Sequence, residues 1–330
     1  MAIEFEKELL YFRILDSTRD FQENLLPFER RGDPLTGQTS IVCIAPFRQQ
    51  LSKPDLSGLI ERSLAVGCPF CPQAIDKFTM KFPPDFIPEG RIHLGESCVF
   101  AQALPLAPYG AVTILSSQHF IGLPDFTEGV LTNGFSVCQT YLRKVSEYDP
   151  RAKYHSILWN YMPPSGGSQI HPHLQPIADY APDNSLRELL EASQQYYQSN
   201  GTNFWSDLIA KEIELGERYV ATIGDVHWLL SFAPKVPRGI DVIAIFQGKS
   251  SLLDLSEQDL QHFSQGLKRV FRYMSNRDLY SFNLCLYSGI RSDDHFWTHA
   301  RIVPRTTGAM VNNSDISAFQ LLLQRPFSLT

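Results

Sequence analysis

The sequence has few cysteines, no long hydrophobic run and no excess of positive charge. Six cysteines in 330 residues are too few for a disulfide scaffold. No apolar run approaches the roughly 20 residues of a membrane span. The beginning, Met1-Ala2-Ile3-Glu4-Phe5-Glu6, is acidic where a secretory signal is basic and then apolar. A net charge of -6 argues against a broad nucleic-acid surface. We therefore expect a cytoplasmic protein that has neither a membrane nor a nucleic acid as its partner.

What the sequence does contain is a weak internal repeat, in the order strand, loop, helix, strand, loop, strand. The predicted elements are a strand at 111–115, a helix at 127–145 and a strand at 154–161, followed in the second half by a strand at 241–246, a helix at 257–274 and a strand at 280–287. The offset is 130 residues from Val112 to Val242 and 126 residues from His173 to His299. The length and the repeat predict one unit copied in tandem, with a division near residue 180, into 1–180 and 181–330.

Shorter signals refine this outline. Ser256 with Asp259 fits a capping box at the start of the second helix. Ahead of the repeat, Glu4 to Phe12 is predicted to form a short helix, and Thr39 to Ala45 a strand.

One pair of cysteines lies close together, in Cys68-Pro69-Phe70-Cys71. Two thiolates at this spacing can bind tetrahedral zinc on a tight turn. A zinc ribbon needs a second pair, which this sequence lacks, so the remaining ligands have to be histidines or carboxylates. We interpret the other four cysteines as small buried hydrophobic residues.

The second motif is the segment from Gly166 to Gln175, which contains two histidines around Pro172. Alternate residues of a strand face one side, so His171, His173 and Gln175 share a surface if the segment is extended, a form that Pro172 favours. A single histidine on a strand is usually structural. Two at this spacing, beside a Gly-Gly-Ser loop and in a chain with a zinc-type cysteine pair, favour a functional site.

Two more residues belong with these motifs. His119 follows the strand 112–115 and, by itself, is an exposed loop histidine; its interest is as a third or fourth zinc ligand. Asn160 ends the strand before the glycine loop, where its structural interpretation is an amide that caps a turn.

Together these motifs resemble the galactose-1-phosphate uridylyltransferase family, a branch of the histidine triad superfamily that includes nucleoside-diphosphate-sugar and diadenosine tetraphosphate phosphorylases. The resemblance covers about residues 29–312, from Arg31-Gly32-Asp33-Pro34-Leu35-Thr36-Gly37 to Phe296-Trp297-Thr298-His299. Its most specific part is the His-Pro-His-x-Gln string that begins at His171. It implies an α+β fold of tandem histidine-triad-like units, each an antiparallel half-barrel sheet with helices. It also implies a homodimer and a role in carbohydrate metabolism.

The resemblance further implies nucleotidyl transfer through a covalent histidine intermediate. His173 would attack the α-phosphorus of a nucleoside diphosphate sugar, and a phosphate-bearing acceptor, hexose 1-phosphate or inorganic phosphate, would then take the nucleotide. One structural Zn²⁺ would be held by Cys68, Cys71, His119 and His171. The other implied site residues are Gln175 and Ser168 as donors to phosphate, and Asn160, Gly166, Gly167, Arg48 and Gln102 as substrate contacts.

The sequence departs from the family in three places. Val99-Phe100 is followed by Ala101-Gln102-Ala103, where the family has an Asn-Asp pair that contacts the nucleoside, so the base and ribose preference stays open. The family's second metal site uses one Glu and three His. Here His299 matches while Arg301 and Ser288 stand near two of the others, so we predict no second metal. Asn312-Asn313 stands near the family's sugar-binding Tyr-Glu pair, which leaves the sugar open.

Two alternatives stay open. One is a phosphorylase or hydrolase of the same superfamily that acts on a nucleotide sugar or a diadenosine polyphosphate. It includes a nucleotide hydrolase or phosphoramidase of the histidine-triad kind, with water as the acceptor. The other is a non-catalytic nucleotide-binding protein that keeps zinc for folding, against which the intact segment from His171 to Gln175 argues.

Overall fold

The computed structural model describes residues 3–44, 54–235 and 240–305, and in them the chain forms two antiparallel sheets and six α-helices. The strands are β1 (Lys7–Asp16), β2 (Gln22–Gly32), β3 (Thr39–Cys43), β4 (Ile92–Leu94), β5 (Ser97–Ala101), β6 (Tyr109–Ile114), β7 (Tyr154–Tyr161), β8 (His173–Asp179), β9 (Tyr219–Ile223), β10 (Val226–Leu230), β11 (Val242–Phe246), β12 (Phe282–Tyr287) and β13 (His299–Pro304). The helices are α1 (Ser57–Val66), α2 (Ile75–Phe78), α3 (Glu128–Tyr148), α4 (Asn184–Asn200), α5 (Phe204–Leu215) and α6 (Glu257–Ser275). The predicted α+β class is confirmed.

The large sheet is built from two equivalent halves. Its strand order is β4-β5-β6-β8-β7-β12-β13-β11-β10-β9, so each strand of the first half has a counterpart at the mirrored place in the second. The register repeats as well, since Ile114 pairs with His173 in the first half and Ile245 pairs with His299 in the second. His299 is therefore the structural equivalent of His173, and the tandem duplication is confirmed. The boundaries 1–180 and 181–330 stay a prediction.

An aromatic core packs between one face of this sheet and the helices α3 and α6. Trp159 is fully buried, and its ring centroid lies 5.4 Å from that of Phe126, 5.8 Å from that of Phe271 and 5.0 Å from that of Phe282. Truncating an aromatic side chain in such a core typically costs about 3–5 kcal/mol. The capping box predicted from Ser256 is present at the start of α6. No described helix combines the length and the hydropathy that a bilayer span requires.

The opposite face of the sheet carries the site. Successive residues of a strand face opposite sides, so Trp159 and Leu158, or Leu174 and its neighbour His173, belong to different layers. In the second half this face packs against α5. In the first half a small cluster of Cys98, Phe100, Val112 and Ile114 packs against residues of the cysteine turn and α2. The two copies therefore share a sheet but differ in what covers it.

One predicted element is wrong. The segment predicted as a helix from Glu4 to Phe12 is instead largely part of β1, which pairs with β2 from Lys7 opposite Arg31 to Asp16 opposite Gln22. Leu10 lies opposite Phe28 and Phe12 opposite Leu26 in β2. Cross-strand pairs of this kind override a weak local helix preference. The other predicted elements occur, with boundaries that shift by a few residues, as in α3, and without a shift in β7. The predicted strand from Thr39 begins as β3, and its predicted end at Ala45 lies outside the described residues.

Candidate metal centre and nucleophilic histidine

The four predicted metal ligands lie together: the ligand atoms of Cys68, Cys71, His119 and His171 are all within 4.8 Å of one another. Cys71 Sγ is 3.3 Å from His119 Nδ1, and His171 Nδ1 is 3.7 Å from Cys68 Sγ and 3.8 Å from Cys71 Sγ. Tetrahedral zinc, with bonds of about 2.3 Å to sulfur and about 2.0–2.1 Å to nitrogen, separates its sulfur and nitrogen ligands by about 3.6 Å. These residues could therefore hold a tetrahedral metal ion with little movement.

Hydrogen bonds on the far side of each imidazole fix which nitrogen faces the centre. His171 Nε2 lies 2.9 Å from the carbonyl oxygen of Ser116, which can only accept, so Nε2 carries the proton. His119 Nε2 lies 2.7 Å from Ser63 Oγ, and that hydroxyl donates to the Ile60 carbonyl at 2.8 Å. The hydroxyl therefore accepts from His119. Both rings turn an unprotonated Nδ1 toward the cysteines, as metal ligation requires.

Burial sets the charge of these ligands in the metal-free protein. It lowers the pKa of His171 to about 4 and lowers that of His119, so both rings are neutral at pH 7. Burial, with the neighbouring Cys68, raises the pKa of Cys71 to about 11. A bound metal would have to displace the thiol proton, as thiolate ligation generally does.

One tight turn connects the cysteines to the second histidine of the motif. The Phe70 amide donates to Cys68 Sγ at 3.4 Å, and the Cys71 carbonyl accepts from Ile75 at the start of α2. Phe70, between the cysteines, presents its ring to His173 with 5.2 Å between centroids. The metal ligands and His173 are thus packed as one unit.

His173 is the first residue of β8, and its ring is held in one tautomer. Nδ1 lies 2.8 Å from the carbonyl oxygen of His171 and must carry the proton, which leaves the lone pair on Nε2. Burial lowers the pKa of His173, so the ring is neutral at pH 7. A neutral imidazole with a fixed Nδ1–H has a nucleophilic Nε2.

Amide groups and a crowded loop lie beside this histidine. Asn160 donates from Nδ2 to Gln175 Oε1 at 3.2 Å, so these two predicted residues are in contact. Gly166 has a positive φ of 85°. A Cβ on Gly167 would lie 2.7 Å from the Asn160 carbonyl oxygen, so only glycine fits there.

The remaining residues predicted to contact the substrate form no hydrogen bond with His173 in the described part of the chain. Ser168 is exposed on the glycine loop. Gln102 donates from Nε2 to the Leu104 carbonyl at 2.6 Å, within its own hairpin. Arg48 and the pair Asn312-Asn313 lie outside the described residues. The roles of all of these residues stay predictions.

Sequence reasoning missed the residues that orient the histidines. Ser63 and Ser116 act through hydrogen bonds from α1 and from the loop after β6, and nothing in the local sequence marks them. Asn283 carried a usable signal, since it is an amide inside the apolar run of β12. It is fully buried and donates to Asn160 Oδ1 at 2.8 Å.

The second half keeps the histidine but surrounds it differently. His299 Nδ1 lies 3.0 Å from the Trp297 carbonyl oxygen, two residues back, as His173 does with His171. However, the Trp205 ring stacks on His299 with 4.0 Å between centroids. Arg301 forms a buried ion pair with Asp241 at 2.5 Å. Among the residues described, the first-half cluster is the only group of three or more side chains that could hold a metal ion. The absence of a second metal remains a prediction, which the cationic Arg301 supports.

The chain is similar in sequence to an archaeal protein. An uncharacterised protein of Archaeoglobus fulgidus is 30% identical over 316 residues, which cover 95% of this chain and 91% of the other. The chain belongs to the same family as this archaeal protein. No family model matches this chain.

Solved structures identify the fold. A GalT-like protein of Arabidopsis thaliana superposes with a TM-score of 0.64 at 16% identity, over 85% of this chain and 90% of that one. An ADP-glucose phosphorylase of Arabidopsis thaliana with bound ADP-glucose superposes with a TM-score of 0.65 at 16% identity, over 92% and 100%. A uridylyltransferase gives 0.61 at 17% identity, over 88% and 91%. The chain shares the fold of these three structures, which is the fold that the resemblance implies.

Proposed function

We propose that this protein is a nucleotidyltransferase with His173 as the nucleophile. It moves a nucleoside monophosphate from a nucleoside diphosphate sugar to a phosphate acceptor, either a hexose 1-phosphate or inorganic phosphate. The observation that carries the proposal is the 2.8 Å contact between His173 Nδ1 and the carbonyl oxygen of the candidate metal ligand His171, which leaves Nε2 of His173 unprotonated. The shared fold of a uridylyltransferase and of a phosphorylase with bound ADP-glucose supports it.

In the proposed first step, His173 Nε2 attacks the α-phosphorus of the donor. A nitrogen–phosphorus bond forms, the bond from the α-phosphorus to the bridging oxygen breaks, and the sugar phosphate leaves with the bonding electrons. The imidazole gains positive charge, which the His171 carbonyl stabilises through the Nδ1 proton. A phosphate oxygen of the acceptor then attacks the same phosphorus and releases His173. Splitting the transfer into two steps lowers each barrier.

The polar groups near His173 have separate proposed tasks. Gln175 and Ser168 donate hydrogen bonds to the phosphate oxygens, whose charge changes during the transfer. Asn160 holds Gln175 and, with Gly166 and Gly167, lets the loop approach the phosphates closely. Arg48 and Gln102 keep their predicted roles as substrate contacts.

The first experiment uses intact mass after incubation with a panel of nucleoside diphosphate sugars and no acceptor. We expect an added nucleoside monophosphate that is absent in His173→Ala and present in the control His93→Gln, whose histidine is exposed. The donor that labels the protein names the base. The absence of an adduct with every donor would contradict nucleotidyl transfer, and an adduct that survives in His173→Ala would assign another nucleophile.

A chase of the labelled protein identifies the acceptor. Rapid loss of the adduct with hexose 1-phosphate indicates a transferase, and rapid loss with inorganic phosphate indicates a phosphorylase. Loss in buffer alone, at the same rate as with either phosphate, would replace the transferase proposal with the hydrolase alternative.

We propose that the metal ion is Zn²⁺ with a structural role. Two cysteines and two histidines are a typical tetrahedral zinc set, and four protein ligands leave no open coordination position. Bound zinc would fix His171 and, through its carbonyl, the ring of His173. Metal analysis should find about one zinc per chain, and much less in Cys68→Ser. The control is Cys138→Ala, a buried cysteine outside the cluster. Zinc content that is unchanged in Cys68→Ser would contradict this assignment.

We propose that the active form is a homodimer joined through the β1–β2 ribbon. The ribbon exposes large apolar side chains on both faces: Leu9, Tyr11, Phe12, Leu15, Phe21 and Leu25. β1 is the outer strand of its sheet, and in the described residues no strand pairs with its other side. Antiparallel pairing with β1 of a second copy, centred on Tyr11, places Tyr11 opposite its own copy and Leu10 opposite Phe12.

The oligomeric state tests the ribbon directly. Light scattering at micromolar concentration should give a dimer for the wild type and a monomer for Phe12→Glu. The control Val66→Glu adds the same charge at an exposed apolar residue outside the ribbon and should stay dimeric. A monomeric wild type, or a Phe12→Glu variant that remains dimeric, would overturn the proposal.

A further inference from the structure

A chain of hydrogen-bonded polar side chains crosses the centre of the large sheet. It starts at Arg305, immediately after β13, and continues through Asn283 in β12 and Asn160 in β7 to Gln175 in β8. The distances are 3.0 Å from Arg305 Nη1 to Asn283 Oδ1, 2.8 Å from Asn283 Nδ2 to Asn160 Oδ1 and 3.2 Å from Asn160 Nδ2 to Gln175 Oε1. We call these four residues the amide relay. It connects the second half to the strand that begins with His173.

The relay has a direction because its first member can only donate. A guanidinium has no acceptor, so Asn283 must turn Oδ1 toward Arg305. Asn283 then donates from Nδ2 to Asn160 Oδ1, and also to the carbonyl oxygen of Ser165 at 2.8 Å. Asn160 in turn presents Nδ2 to Gln175 Oε1. The carbonyl of Gln175 is thereby committed to Asn160, and its amino group faces the other way.

Burial makes this direction costly to reverse. Asn283 is fully buried, and rotating its amide would set Nδ2 against a guanidinium and Oδ1 against the Ser165 carbonyl. Each buried polar group left without its partner costs about 1–3 kcal/mol. Arg305 is itself anchored, because its backbone amide donates to the backbone carbonyl of Ser281 at 2.8 Å. Ser281 is held in turn, since its Oγ donates to the Tyr161 carbonyl at 2.8 Å.

We propose that Arg305 is a positioning residue for the transfer, acting on Gln175 through Asn283 and Asn160. It fixes the Gln175 amide with its two N–H groups available to phosphate, and it polarises the relay so that these donors are stronger. Arg305 does not contact the substrate in this role. The inference rests on the proposed function, in which Gln175 donates to the transferred phosphate.

The kinetic test measures the rate of adduct formation in single and double variants. Arg305→Met should lower the maximal rate about tenfold, the effect of roughly one charged hydrogen bond, with little change in the donor concentration at half-saturation. Arg305→Lys keeps a cationic donor and should recover most of the rate. In a Gln175→Ala background, Arg305→Met should change the rate less than about twofold, since contributions within one network are not additive.

If Arg305 only stabilises the fold and does not position Gln175, a different result is expected. Arg305→Met would then slow the reaction by the same factor with or without Gln175, in proportion to a lower melting temperature, and this result would overturn the proposal. The control is Arg151→Met, because Arg151 pairs with Asp149 near the opposite end of β7 and lies outside the relay. Its rate should match that of the wild type.

A second measurement does not depend on activity. Side-chain amide NMR signals of Asn160 and Gln175, assigned by their loss in Asn160→Ala and Gln175→Ala, should both shift in Arg305→Met and stay in place in Arg151→Met. Signals that do not move would refute the relay. If the wild type forms no adduct while these signals do shift, the proposed function fails and the relay stands.

Discussion

Gly167→Ala tests how closely the glycine loop must approach the strand that carries Asn160. A Cβ at this position would lie 2.7 Å from the Asn160 carbonyl oxygen and 3.0 Å from the Met162 carbonyl oxygen. Both contacts are with backbone atoms, so no flexible side chain can move aside. Overpacking of this kind typically costs about 1–3 kcal/mol, and we expect that loss in the free energy of unfolding.

We also expect Gly167→Ala to lower the rate of adduct formation, because the backbone that it displaces positions groups of the proposed site. The backbone that must move belongs to Asn160, whose side chain holds Gln175 at 3.2 Å, and to the loop that leads to Ser168. A displacement approaching 1 Å in groups that position a substrate can cost about a hundredfold in rate. We therefore expect the rate of adduct formation to fall by about tenfold to a hundredfold.

Urea unfolding and the intact-mass assay measure these two effects on the same variant. The control is Gly129→Ala in α3, where a Cβ meets no atom within 4 Å. It should raise the free energy of unfolding by up to about 1 kcal/mol, the helix preference of alanine over glycine, and leave the rate unchanged. A Gly167→Ala protein as stable and as fast as the wild type would refute the argument that this close approach shapes the site.

Two further predictions concern buried charge. Burial lowers the pKa of His155 to about 4, below the 6.5 of its usual range, so the unfolded chain takes up the proton first and stability is lost as the pH falls from about 6.5 toward 4. The loss from this group should be about 2–3 kcal/mol at pH 4.5 in urea unfolding, absent in His155→Gln and unchanged in the control His93→Gln; equal pH profiles in all three proteins would contradict it. Arg301→Met leaves Asp241 as an unpaired buried charge and should cost about 3–5 kcal/mol at pH 7. Adding Asp241→Asn should recover part of that loss, and no recovery would show that packing, not charge, causes it.

The sequence predicted what depends on short spacing and on the repeat. The spacing of Cys68 and Cys71 indicated a metal site, and the resemblance implied His119 and His171 as its other ligands. The structure brings these four residues together. Strand β7 and helix α3 followed from hydrophobic patterning. The first strand was predicted as a helix because its pairing partners in β2 follow only after a turn, and local propensity does not register them.

The relay could not be predicted from the sequence for a related reason. Asn160 and Asn283 meet because β7 and β12 pair at the centre of the sheet, so the contact exists only once both halves have folded. The amide of Asn283 inside the apolar run of β12 marks a buried polar residue, but nothing within either half connects it or Arg305 to the site. Residues that orient a functional group from a distant part of the chain are visible only when strand order and register are known.

The comparison of His173 with His299 shows what the duplication alone does not provide. Both rings donate from Nδ1 to the carbonyl two residues back, since this bond depends on how the backbone enters the strand and not on the neighbouring side chains. The surroundings then separate the copies: Phe70 of the cysteine turn meets His173 edge-on, whereas the Trp205 ring covers the face of His299.

The two copies also differ at the residue that follows each histidine on the same face of its strand. Gln175 and Arg301 stand two residues after the equivalent histidines. Arg301 forms an ion pair with Asp241. Gln175 accepts from Asn160 through Oε1, so its amino group points away from Asn160. In the proposed mechanism a fixed tautomer is therefore not sufficient for a nucleophile, and suitable hydrogen-bond donors beside the ring are needed too. In the proposed mechanism the second half contributes Asn283 and Arg305, which orient the amides of the first half, in place of a second reactive histidine.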